Sequence, residues 1–235
     1  PFAALEASDP RIVGTVDQME EMGTSAAAIR EQEEARRKKG LPTADAWFWM
    51  SYAELAKASH VGNVYLLQDD VPNFLRSMFN QYAADIDPQE GYQFREHPNR
   101  TGEGNGGDKT FEAAAFLERM RAMFVMEDAQ CLWLARAPPR AWLEQGKRIA
   151  VRNAPTRFGP VSYEIVSQVQ SNSIVATVDL PSRRAPSSLL LRLRHPQAAP
   201  LRGVLVDGKT WKRFDAKQET IQLEGVNGRV NLQAI

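Results

Sequence analysis

The sequence predicts a fold in two parts, helical first and β second, on three observations. Up to about residue 127 the apolar residues recur at helical spacing, and beyond Asp128 they alternate with period two. Between the two regimes Pro138, Pro139 and Gly146 interrupt the chain, which puts the change near residues 128–146. The expected organisation is a multidomain α-then-β chain: a helical block over 1–127, then an antiparallel β-sandwich over 128–235.

In the helical block, Ile12, Val13, Val16 and Met19 keep one face, with Asp9 as N-cap, Pro10 at the first position and Gly23 as the stop. From Thr24 to Lys39 Ile29 is the one large apolar residue, and Glu33/Arg37 and Glu34/Lys38 form i,i+4 pairs, so this helix is expected to be mostly solvated. Ala46 to Leu67 carries Phe48, Tyr52, Leu55 and Ala58 on one face. The next helix starts at Asp69 or Asp70, with Phe74, Leu75, Met78 and Tyr82 inward. A Gly- and Pro-rich loop from about Asp85 to Gly107 precedes the last helix, whose stripe is Ala113, Phe116, Leu117, Met120, Met123 and Phe124.

The β part shows alternation in Val161, Tyr163, Ile165 and in Ile174, Ala176, Val178, Leu180, followed by Leu189, Leu191 and Leu193. Asp207-Gly208, between Val204-Leu205-Val206 and Trp211, is a hairpin signal, and Ile221, Leu223, Val230 and Leu232 supply the last strands. Trp133 and Trp142 flank the junction and are expected to pack the two parts together.

Composition narrows the function. Lys+Arg and Asp+Glu are both 29, so no net basic field holds nucleic acid or an anionic membrane. No apolar run approaches the roughly 20 residues that cross a bilayer. The single cysteine, Cys131, excludes an internal disulfide, and neither His60 nor His195 has a ligand at paired spacing, so no metal and no cofactor are expected. The start Pro1-Phe2-Ala3 carries no signal core, so any targeting segment is expected to lie upstream or to have been removed; localisation is not read from this stretch, a periplasmic or extracellular one staying open.

Two acidic groupings carry the candidate chemistry. The loop Tyr92-Gln93-Phe94-Arg95-Glu96-His97-Pro98-Asn99-Arg100-Thr101-Gly102 sets Glu96 beside His97, Arg95 and Arg100. Those neighbours favour an ionised carboxylate that activates water as a general base, and the plain alternative is a surface ion-pair cluster. Asp17, Glu20 and Glu21 border an apolar face, where a raised pKa would suit a general acid, or they are simply exposed. Trp47, Trp49, Tyr52 and Tyr92 suit the apolar side of a pyranose, or equally a core.

On these residues the order of segments resembles the end of a six-hairpin glycosidase, of the glucoamylase-like superfamily of (α/α)6 barrels often followed by a β-sandwich. The segment Phe94-Arg95-Glu96-His97-Pro98-Asn99-Arg100-Thr101-Gly102, leading through Asp108-Lys109-Thr110-Phe111 into a helix, is similar to the general-base loop of glucoamylase-like enzymes. Asp17-Gln18-Met19-Glu20-Glu21-Met22 is similar to the segment holding their general acid, with Met19 where they have Trp. In a closed barrel the acid would lie about six helices before the base, whereas about three lie between Glu20 and Glu96. The stretch Ile149 to Tyr163 looks like the junction in many bacterial barrel-plus-sandwich glycosidases.

The resemblance implies a partial (α/α)6-type toroid, and a chain that is the C-terminal part of a larger protein with an N-terminal part as its partner. It implies a glycoside hydrolase acting on a carbohydrate by inversion, its carboxyls roughly 6.5–9.5 Å apart. Glu96 and Glu20 would be catalytic, with Asp17, Glu21, Trp47, Trp49, Tyr92, His97 and Arg100 contacting substrate. The piece by itself is expected to be inactive, since half of such a cleft is missing. The alternatives are a phosphorylase, lyase or epimerase on a similar barrel, where His97 and Arg100 would meet phosphate or uronate, and a non-catalytic carbohydrate-binding scaffold.

Overall fold

The structure, a computed structural model, describes residues 65–87, 93–94 and 110–235. The chain divides into two compact units, Pro1–Met120 and Arg121–Ile235. The helices expected before Tyr65 lie outside the described residues.

In the first unit residues 65–67 end a helix. The Asp69 amide bonds Leu66 O at 3.1 Å and the Asp70 amide bonds Tyr65 O at 2.8 Å, with Asp69 at φ 61°. This pairing closes the helix C-terminus, and aspartate tolerates the left-handed position because its short polar side chain bonds locally. Asp70 then caps α1 (Val71–Asp85), accepting the Asn73 amide on Oδ1 at 3.1 Å. Phe74 and Met78 are fully buried as expected, but Tyr82 is 42% exposed. A second helix, α2 (Thr110–Phe124), begins in the first unit and ends in the second; it buries Ala115, Arg119, Ala122 and Met123 and leaves Leu117 65% exposed. Apolar residues lie around most of the α2 circumference, so its pattern did not fix the buried face.

The second unit holds two sheets. A six-stranded sheet has the order β10-β9-β13-β7-β6-β5, built from β5 (Arg148–Ala154), β6 (Val161–Gln168), β7 (Ser173–Asp179), β9 (Val204–Val206), β10 (Lys209–Thr210) and β13 (Arg229–Ala234). A five-stranded sheet has the order β11-β12-β8-β4-β3, from β3 (Val125–Asp128), β4 (Cys131–Leu134), β8 (Ser188–Arg192), β11 (Phe214–Asp215) and β12 (Thr220–Leu223). Every pair is antiparallel except β4 with β8, which run parallel. Parallel neighbours need a long crossover, supplied here by β5, β6 and β7 passing through the other sheet.

Alternation builds the core. In β6 Val161, Tyr163, Ile165 and Ser167 point inward, and Ile174, Ala176 and Val178 of β7 meet Leu189, Leu191 and Leu193 within one buried cluster. Ser167 is the polar member of its row, and its hydroxyl donates to Leu143 O at 2.6 Å. The Tyr163 hydroxyl reaches Phe124 O at 2.9 Å, and burial pushes its phenol well above the ordinary value. Asp207 (φ 48°) and Gly208 (φ 75°) join β9 to β10 by the tight turn their dipeptide predicts. Trp142 stacks on Phe124 within this unit, with ring centroids 6.1 Å apart.

Candidate functional site

The carboxylate loop is approached through a short hairpin. Ile86–Asp87 (β1) pairs antiparallel with Gln93–Phe94 (β2), Ile86 opposite Phe94 and Asp87 opposite Gln93. Helix α1 runs directly into β1, so the hairpin is carried on a helix whose start is fixed by the Asp70 cap. Three rings converge on it. Phe94 lies 5.1 Å from Phe116 of α2 and 6.4 Å from Tyr82 of α1, and Tyr82 lies 5.5 Å from Phe116. Offset and edge contacts of this kind add about 0.5–1.5 kcal/mol per pair beyond area burial. Phe94 is thereby tied to both helices, and in the sequence it stands two residues before Glu96.

The residues the sequence singled out for chemistry, Glu96, Glu20, Asp17, Glu21, Trp47, Trp49, Tyr92, His97 and Arg100, lie outside the described residues. The ring cluster was not foreseen, because Tyr82 and Phe116 were assigned to helix faces and Phe94 to an open loop. What signals it in the sequence is an aromatic residue beside the loop carboxylate.

In the second unit the polar residues are mostly structural. His195 donates its backbone N–H to Glu219 Oε1 at 2.7 Å, while its Nδ1 accepts the Gln197 amide at 3.2 Å. Arg140 grips both oxygens of Glu219 at 2.8 and 2.7 Å and also reaches His195 O at 2.5 Å. Trp133 has the Arg136 guanidinium 4.1 Å from its ring centroid and that of Arg192 at 5.4 Å, a cation–π pairing on the five-stranded sheet. Burial raises the Cys131 thiol above its ordinary value, which suits a packed side chain better than a nucleophile. Among the described residues no group of three or more His, Cys, Asp or Glu could hold a metal ion. No described helix is long and apolar enough to cross a membrane.

No protein-family model and no curated protein matches the chain. Among the solved structures that do match is one described as a glycoside hydrolase, at 9% identity and a TM-score of 0.35, over 74% of this chain and 32% of that one. The chain thus spans about a third of that structure's length, and a likeness of this degree carries no argument about function.

Proposed function

We propose that the chain is part of a glycoside hydrolase of the (α/α)6 kind, which cleaves a glycosidic bond with a pair of carboxylates. Glu96 is the general base that activates water, and Glu20 is the candidate acid that protonates the leaving oxygen, an inverting arrangement. His97, Arg100, Tyr92, Asp17, Glu21, Trp47 and Trp49 contact the sugar. The observation that supports this reading is the aromatic anchoring of Phe94. A general base must be held within a fraction of an ångström of its working position, and a hairpin packed on two helices provides such a hold two residues from Glu96.

The test is Glu96→Gln in the intact protein. Turnover of the glycoside substrate should fall roughly 10²–10⁴-fold while sugar binding, measured by calorimetry, is kept. Turnover retained within a few-fold would remove Glu96 from the role. Turnover that requires inorganic phosphate would reassign the enzyme to the phosphorylases.

A further inference from the structure

At one end of the sandwich, arginines outnumber the carboxylates that neutralise them. β5 ends and β6 begins there, and the pairing of Ser162 with Asp179 and of Asp179 with Arg229 brings the end of β7 and the start of β13 to the same place. The 155–160 loop and the 180–187 loop leave from this end and are tied together, the Arg184 amide donating to Phe158 O at 3.0 Å. Its acids are largely taken. Glu127 is shared by Arg121 (3.4 Å) and Arg157 (3.3 Å), Arg229 holds Asp179 through two bonds of 2.7 and 2.9 Å, and Glu224 pairs with Arg213. Among the described residues Asp128, opposite Cys131 in the other sheet, is the one further acid of this end. Arg152, Arg183 and Arg184 are exposed and have no carboxylate partner among the described residues.

Arg152 and Arg229 also line a polar groove of about 460 Å³ on the outer face of the six-stranded sheet, with Asn153, Ser162, Thr177 and Asp179. The two kinds of group in this groove ask different things of a ligand. Guanidinium forks need carboxylate-like acceptors, whereas Asp179, held by Arg229, Glu164, paired with Arg148 at 2.6 Å, and the Asn153 amide oxygen, which accepts from Ser162, keep further lone pairs that can accept from hydroxyl donors. A phosphodiester backbone supplies acceptors only and leaves those lone pairs unused; a bilayer surface needs an apolar wedge that this groove lacks. A uronic acid polymer presents carboxylates and hydroxyls together.

We infer that this groove and the arginine-rich loops beside it bind an acidic polysaccharide. The binding has an electrostatic share, so it weakens as salt rises. It is independent of Glu96.

The experiment is calorimetry on the whole chain with three probes: polygalacturonate, neutral amylose and duplex DNA. Polygalacturonate should bind on the order of tenfold tighter than either other probe. The triple variant Arg152→Ala/Arg183→Ala/Arg184→Ala should weaken it by about tenfold or more with an unchanged melting temperature, and Arg152→Gln alone by several-fold. Glu96→Gln should leave the binding as it is, whatever it does to turnover. Absence of polygalacturonate binding, equal affinity for duplex DNA, or parent-like binding by both arginine variants would each overturn the proposal.

Discussion

Glu219 occupies a left-handed backbone position, φ 56°, which an L residue with a long side chain rarely adopts. Its carboxylate compensates for that strain. It is 5% exposed, bonded to both Arg140 nitrogens and to the His195 amide, so it closes three segments of chain over one end of the core. Removing one partner of such a pair strands the other, and Arg140, being 30% exposed, recovers part of the loss from water. Glu219→Ala is therefore expected to lower stability by about 2–4 kcal/mol in urea unfolding. A loss below about 0.5 kcal/mol would class the pair with ordinary surface ion pairs. None of this is legible in the sequence, where Arg140 and Glu219 stand far apart and His195 reads as a turn residue. The sequence does mark residues whose role is local: Asp70 as a cap and Asp207-Gly208 as a turn follow from chemistry within three or four positions.

At the scale of elements, glycines separate turns that need only a backbone conformation from turns that also need space. Gly208 (φ 75°) has nothing within 4 Å of an added Cβ, so Gly208→Ala meets backbone strain alone and should cost about 1 kcal/mol. Gly159 sits at φ 117°, outside the left-handed helical well, and a Cβ there would meet Arg183 Cβ at 3.1 Å and its amide nitrogen at 3.2 Å. Gly159→Ala should cost about 2–3 kcal/mol, both losses being read by thermal unfolding, and equal losses at the two sites would refute the steric share. The strands were readable because one face of each is buried, which forces the period of two seen in Val161 to Ser167. The helix faces were less so. Tyr82 and Leu117 were expected inside and are exposed, because apolar residues on several sides of α1 and α2 leave the buried face to tertiary packing. The parallel pairing of β4 with β8 has no local signature at all.

For the whole molecule, the order of strands in space matters more than their number. β13, the latest strand in sequence, lies between β9 and β7 in the six-stranded sheet. Without it the sheet is two fragments, β9-β10 and β5-β6-β7, and Val230, Leu232 and Ala234 vanish from the core. Deleting residues 229–235 should therefore abolish the cooperative near-UV unfolding transition of the sandwich, and a sigmoidal transition within about 1 kcal/mol of the parent would contradict that reading. The candidate segment around Glu96 follows a different logic: its composition marks it in the sequence, whereas the rings that hold neighbouring Phe94 lie on two helices that no spacing rule connects to it. The central place of β13 reaches into the cell's handling of the protein. A chain without β13 leaves the facing edges of β7 and β9 unpaired and the apolar rows beside them open, the kind of surface that chaperones and proteases act on.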